Sequence, residues 1–432
     1  MIATLSHAPI DCGGSIRAVS LLSAFCVRAA GHPPLVCHER EGSGSHAVPP
    51  PQELLRPLRV PTRLLLGPGP SNSSARVRAA GALPLLGHLH PEFCQVMDEV
   101  RAGLRYAFQT RNAVTLAVSG TGHAAMEAAI VNLAQEGERV AVCVHGVWGE
   151  RAASIARRLR ADVRTLEGPA GERFSIAQIE QALLEHRPRL LFVTHGESST
   201  GVLQPLEGIG PLCHRSDCLL IVDSVASLGG TPLHMDELEI DVLYTGSQKV
   251  LGCPPGPSPI SFSQRAWERL LARKTEVPSF YFDMKGLANY WGCDEGPRRY
   301  HHTGPISAVY ALREGLAELV EEGLERCWER HGRTALRLHR GLTELGLQLF
   351  VGEKEARLPT ITTVRVPPGY AWKEVVDFIM SRHGIEIAGG LGPTAGQVWR
   401  IGLMGQNSTE QNVDKVLLAL RDALATCSRA KL

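Results

Sequence analysis

The sequence predicts an α/β fold: a large domain whose mostly parallel sheet is flanked by helices, followed by a smaller α+β C-terminal domain. Three observations carry this expectation. Apolar runs at 114–118, 139–144, 190–194, 219–222 and 242–244 have the continuous hydrophobicity of strands covered on both faces. Segments of helical period at 123–133, 150–159, 176–186 and 206–214 alternate with them, as crossovers between parallel strands require. From about Gly323 the alternation gives way to a long amphipathic helix, strands at 347–350 and 361–366, and a helix at 372–382. Strands at 385–388 and 398–402 and a closing helix at 409–425 complete this part. With 432 residues, more than one core usually serves, the boundaries are expected at 62–322 for the large domain and 323–432 for the small one. Residues 1–48 and 49–61 fall outside both.

Composition excludes several classes. Lys and Arg number 45 against 44 Asp and Glu, a formal charge of +1, and the body has no basic run, so no nucleic-acid partner is expected. No apolar stretch reaches the roughly 18 residues of a membrane span, so no membrane partner is expected either. Small anions need only local charge and stay open. The 11 cysteines include no C-x-x-C pair and read as free thiols in a reducing compartment.

The two ends carry address-like features. Asp11 is the only acid before Glu39, and a helix over 15–30 would align Arg17, Ser20, Ala24 and Arg28 on one face. That pattern suits a mitochondrial presequence. A secretory signal with its apolar stretch at 18–27, or a plain tail, are the other readings, and the free thiols argue against secretion. Ala430-Lys431-Leu432 approximates the S-K-L peroxisomal address. Import receptors are therefore among the expected partners.

Asp223 follows the apolar run 219–222, and Lys249 lies on the loop after the run 242–244, where parallel sheets place ligands. Together they fit the two demands of pyridoxal phosphate: an amine to bond it and a carboxylate to keep its ring nitrogen protonated. At about 4 Å and an effective dielectric near 20, such a carboxylate–pyridinium contact is worth about 4 kcal/mol before desolvation. Taken singly, a surface lysine and a helix-capping aspartate would explain each residue.

Ser119-Gly-Thr-Gly-His123 joins the first run to a helix, and glycines at a helix start let the backbone approach an anion. The same spacing matches G-x-G-x-x-A of dinucleotide sites. That rival needs a carboxylate at the tip of the next strand, where His145-Gly146 stands instead, so a mononucleotide-sized phosphate is favoured. Trp148 could stack on a flat ring or sit in the core. Ser198, again after a strand, could donate to a cofactor oxygen. Arg400 interrupts an apolar strand, and an inward guanidinium needs an anion: a substrate carboxylate or a buried ion-pair partner. The adjacent histidines of Tyr300-His-His-Thr303 would point to opposite faces of a strand with no third ligand in register, so no metal is expected.

Leu64-Leu-Leu-Gly-Pro-Gly-Pro-Ser71, Thr194-His-Gly-Glu-Ser-Ser-Thr-Gly201, Gly246-Ser-Gln-Lys249, Tyr300-His-His-Thr303 and Gly389-Gly-Leu-Gly-Pro393 add to these turns. From about Pro49 to Leu432 the chain resembles the alanine–glyoxylate (serine–pyruvate) aminotransferase family, class V enzymes of pyridoxal-phosphate fold type I. The resemblance implies transamination between alanine or serine and glyoxylate or pyruvate, with glyoxylate detoxification as the result. It implies that Lys249 bonds the cofactor and then moves the proton, that Asp223 pairs with the ring nitrogen, and that Val225 and Trp148 cover the ring faces. Gly122, His123 and Gln248 would hold the phosphate, Ser198 would contact the cofactor, and Arg400 would hold the substrate carboxylate. Tyr300 and Thr303 would come from a second copy, in a homodimer over which residues 49–61 wrap. The resemblance also implies mitochondrial or peroxisomal delivery.

Two departures stand out. No methionine falls between Met1 and Met97, so a presequence-free form is not expected from initiation within this chain. Gly304 stands where the resemblance expects a bulkier residue, and extra backbone freedom is expected there. Rivals on the same fold are cysteine desulfurase, which needs a loop cysteine absent between Cys327 and Cys427, and phosphoserine aminotransferase, which needs further cations. From another class, a cofactor-less binding protein would leave Lys249 and Asp223 without purpose.

Overall fold

The computed structural model describes residues 48–427. The address-like features of residues 1–47 and of Ala430-Lys431-Leu432 lie outside them. Residues 48–60 form a unit of their own with one short 3-10 turn, Gln52–Leu55. All other described elements belong to the unit that begins at Pro61.

A seven-stranded sheet dominates that unit. In chain order its strands are β1 (Val114–Ser119), β2 (Arg139–Val144), β3 (Asp162–Glu167), β4 (Leu190–Thr194), β5 (Leu219–Asp223), β6 (Val242–Tyr244) and β7 (Pro257–Phe262). Across the sheet they run β1-β7-β6-β5-β4-β2-β3, with only β7 antiparallel to its neighbours. The five apolar runs all became strands because each is buried between helical layers; β4 and β5 are buried along their whole length. Strands β3 and β7 were not expected. Strand β3, Asp-Val-Arg-Thr-Leu-Glu, is an edge strand of half-buried and exposed residues and carries no continuous apolar signal. Strand β7 contains Pro257 and Pro259, which argue against an interior strand. It is nonetheless buried throughout, and the Pro259 carbonyl still accepts from Thr245 N at 2.9 Å.

Helices α1 (Pro91–Phe108), α2 (Gly122–Leu133), α3 (Val147–Arg158), α4 (Ile306–Glu322) and α5 (Leu324–Glu344) help cover or extend this core. Helix α2 is buried around most of its circumference, and its run of small residues (Ala125, Ala128, Ala129) suits close packing beside the sheet.

After α5 the chain builds a three-stranded antiparallel sheet from β8 (Ile361–Arg365), β9 (Ala388–Gly389) and β10 (Val398–Gly402), ordered β8-β10-β9. Its own hydrophobic cluster includes Leu338, Val364, Ile379, Trp399 and Leu420, and also Leu66 from far upstream. Leu64–Leu65 pairs in parallel with Ile385–Glu386. The strand expected over 385–388 is thereby split: Ile385–Glu386 bonds to Leu64–Leu65, while Ala388–Gly389 joins β10. The strand expected over 347–350 is reduced to a bridge, Leu349↔Val364, with Phe350 N donating to Thr363 O at 2.9 Å. At Gly304 a Cβ would stand 3.2 Å from Tyr290 Oη, so what the missing side chain provides there is room beside Tyr290.

Candidate active site

Strands β1, β2, β4, β5 and β6 all end at one edge of the sheet, and the loops leaving those ends line a single cavity. Its walls are Thr121, Gly122, His123 and Met126 from the first loop and α2, Trp148 from the second, Gly196 and Ser198 from the third, Asp223, Val225 and Ala226 from the fourth, and Gln248 and Lys249 from the fifth.

Asp223 closes β5, where register sets it beside Thr194 on one side and Tyr244 on the other. It is 2% exposed. One carboxylate oxygen accepts from Val225 N and the other from Tyr244 Oη, both at 2.8 Å. Among the described residues no cation pairs with it, so burial pushes the carboxyl up to about 6, against those two hydrogen bonds and the Lys249 charge. An acid so placed is stabilised as an anion by any cation that enters.

Lys249 sits on the loop after β6. That loop is fastened from outside: Ser71 N donates to Gln248 O at 2.9 Å and Ser71 Oγ to Lys249 O at 2.7 Å. Lys249 Nζ donates to Pro68 O. Gly69 adopts φ +110, and a Cβ there would overlap Nζ, so only glycine lets the amine lie where it does. Burial lowers the ammonium to about 8, with Arg400 acting in the same direction and Asp223 and Glu386 opposing.

At the far end, α2 begins behind Thr121, which supplies no side-chain cap, and its first turn meets the cavity with N–H groups and the positive end of the helix dipole. Gly122 is needed for closeness: a Cβ there would press to 3.2 Å from Val225 Cγ2. Gln248 Oε1 is buried with no hydrogen-bond partner among the described residues. His123 is exposed beside Trp148, ring centroids 5.4 Å apart and nearly perpendicular, with Nε2 3.2 Å from Arg151 Nη1. Partial burial, and then Arg151, lower its imidazole.

Trp148 lies in the first turn of α3, its indole Nε1 donating to Ser198 Oγ at 2.7 Å. Arg400, in the middle of β10, is 8% exposed. It donates from Nε to Gly389 O at 2.8 Å and from Nη1 to Ser198 O at 3.2 Å. Among the described residues it joins no salt bridge within 4 Å. Burial lowers the guanidinium to about 10, with Glu197 opposing.

The structure thus brings together Gly122, His123, Trp148, Ser198, Asp223, Val225, Gln248 and Lys249, with Arg400 bonded to the Ser198 carbonyl at their edge. It does not bring Tyr300 or Thr303 to the same cavity. Tyr300 is 62% exposed and packs on His88 at 5.1 Å. Sequence reasoning missed two carboxylates, Glu197 and Glu386, and the role of the Gly67–Ser71 turn in seating Lys249. That turn was visible as Gly67-Pro-Gly-Pro-Ser71, but nothing in its composition says that it meets a lysine so far along the chain.

A strand-end carboxylate without a cation and an enclosed, weakened ammonium in one cavity are the equipment of an enzyme that handles amines. The comparisons specify which kind. The aminotransferase class-V family model matches residues 78–416, and the chain belongs to that family. It is 56% identical over 385 residues to an alanine–glyoxylate aminotransferase of Callithrix jacchus, covering 89% of this chain and 93% of that protein. The corresponding protein of Drosophila melanogaster is 50% identical over 378 residues, covering 87% and 96%. A crystal structure of alanine–glyoxylate aminotransferase from Nostoc sp. superposes with a TM-score of 0.85 at 49% identity, covering 88% of this chain and all of that one.

Proposed function

We propose that the chain is a pyridoxal-phosphate-dependent transaminase that moves the amino group of alanine, or serine, to glyoxylate, giving pyruvate and glycine and removing glyoxylate. The observation that carries this reading is Arg400: a buried guanidinium that among the described residues forms no salt bridge, beside a cavity whose other polar groups suit a flat phosphorylated ring. The names of the relatives support the choice of substrates.

The donor set fits the cofactor. The uncapped start of α2, Gly122, His123 and the Gln248 side-chain amide, which can offer its N–H groups, suit a phosphate. Val225 and the Trp148 indole supply the two apolar walls, Ser198 a hydroxyl, and Asp223 a carboxylate without a cation. When bound, pyridoxal phosphate supplies an aldehyde that takes up amines and a protonated ring that withdraws electrons from the substrate α-carbon. Asp223 holds the proton on the ring nitrogen. Lys249 Nζ, inclined to the neutral amine by burial, would serve as the nucleophile that holds the group and as the base that moves a proton at the substrate α-carbon. Arg400 fixes the substrate carboxylate and so aligns the α-carbon with Lys249.

Tyr300 and Thr303 fit this reading when a second copy supplies them, so the active unit is a homodimer with shared sites and residues 49–61 as its arm. Residues 62–322 are the cofactor domain and 323–432 the small domain. The acid-poor residues 1–48 act as a mitochondrial presequence; fractionation with the tag kept off Leu432 decides between that and delivery to peroxisomes.

A half-reaction screen tests the function. Holoenzyme mixed separately with alanine, serine and aspartate should lose the visible band of its lysine-bound cofactor with the first two, and glyoxylate should restore it. A response confined to aspartate overturns the substrate assignment. A pH dependence follows from Lys249. Its depressed value means that the neutral amine grows with pH up to about 8 and levels off above. The rate at which apo-protein bonds added pyridoxal phosphate should therefore rise about ten-fold per pH unit below 8 and flatten beyond it, as stopped-flow absorbance can follow.

A further inference from the structure

Glu197 is wholly buried, yet no cation pairs with it among the described residues. Oε1 accepts from Ser199 N at 2.9 Å and Ser199 Oγ at 2.6 Å, and Oε2 from Trp148 N at 3.2 Å. Ser199 Oγ in turn accepts from Val147 N at 3.1 Å. Helix α3 starts at Val147 behind Gly146, which offers no side chain, so Glu197 and Ser199 together take its first two N–H groups from another segment of the chain. A carboxylate at that end also meets the positive pole of the helix dipole. Gly146 is required for the approach, because a Cβ there would overlap Glu197 Cδ.

The same turn reaches the rest of the site. Ser198 Oγ accepts from the Trp148 indole, and Ser198 O accepts from Arg400 Nη1. Ser199 O accepts from Thr394 Oγ1 at 2.7 Å, and Thr200 O from Thr363 Oγ1 at 2.7 Å, next to Arg400 across the β8–β10 pairing. One buried side chain thus ties the backbone carrying the indole to the backbone carrying the guanidinium.

We propose that Glu197 is a positioning residue: by holding the start of α3 against the 197–200 turn, it sets the Trp148 ring and Arg400 in one fixed relation. Glu197 is not among the residues that line the cavity. The two groups it aligns are those that the proposed transamination needs to fix the ring and the substrate carboxylate, so the inference rests on that reading.

Glu197→Gln keeps the shape but replaces one acceptor oxygen by a donor. Amide hydrogen exchange of apo-protein in the peptide 145–150 should accelerate at least ten-fold, since Trp148 N–H loses its carboxylate acceptor and Ser199 Oγ, the acceptor of Val147 N–H, loses the oxygen that anchors it. In the holoenzyme, KM for alanine and for glyoxylate should both rise about ten-fold with kcat changed less than three-fold, and the visible circular dichroism of bound pyridoxal phosphate should weaken. Ser199→Ala, a milder cut through the same link, should move exchange and KM in the same direction by about three-fold, and it decides the matter where Glu197→Gln does not fold. Unchanged exchange in 145–150, or a loss of kcat with both KM values intact, overturns the proposal. Wild-type protein that binds the cofactor but transfers no amino group overturns the reaction instead, leaving the exchange and dichroism comparison as the test of Glu197.

Discussion

Lys249→Ala protein folds, binds pyridoxal phosphate without bonding it, and turns over at least ~10⁴-fold more slowly than wild type, because nucleophile and proton carrier vanish together. Folding should survive. The side chain gives the fold only a hydrogen bond to Pro68 O, and it is an ammonium that burial disfavours. The linkage has a definite sign. A folded value near 8 against an ordinary value of 10.5 means that the unfolded chain binds more protons between those limits, so Lys249 contributes stability that rises with pH across that window. Removing it flattens that part of the profile. Thermal melts between pH 7 and 10, with single-turnover assays, check both claims; more than trace turnover would remove Lys249 from the reaction.

Arg400→Ala raises KM for amino acid and oxo acid alike by about 30- to 150-fold, equivalent to about 2–3 kcal/mol, the range expected when one partner of an enclosed charge pair is cut away. The kcat should fall less. Arg400→Lys recovers only part, since a point charge cannot make the two parallel hydrogen bonds of a guanidinium. The fold loses two bonds to carbonyl oxygens, at Gly389 and Ser198, so melting should shift little. Steady-state kinetics with both substrates suffice, and unchanged KM values would make Arg400 a structural arginine.

Much of this was legible before the structure. Strands β4, β5 and β6 announce themselves because a strand covered on both faces must be apolar at every position, and the reactive residues follow because such sheets present ligands at strand ends. Strand β3 was hidden for the opposite reason: at the sheet edge it needs little apolar surface, and its Asp, Arg and Glu read as loop. Pro257 and Pro259 concealed β7, though the antiparallel register lets the Pro259 carbonyl take part. Glu197 was illegible as a buried acid. Nothing in His-Gly-Glu-Ser-Ser-Thr says that its carboxylate caps a helix lying some fifty residues upstream. Contacts of that length are properties of the fold, and a local reading of the sequence does not contain them.

The pairing of Leu64–Leu65 with Ile385–Glu386 has a consequence for synthesis. Roughly 320 residues separate the partners, so at ~5–20 residues per second a ribosome delivers the second strand ~15–60 s after the first. For that interval three consecutive leucines, including Leu66, which ends fully buried, travel as an apolar segment with no docking place while the seven-stranded sheet assembles behind them. Docking of this segment therefore waits until residues 385–386 have been made. A nascent chain stalled before residue 386 would display that segment to any chaperone waiting at the exit tunnel.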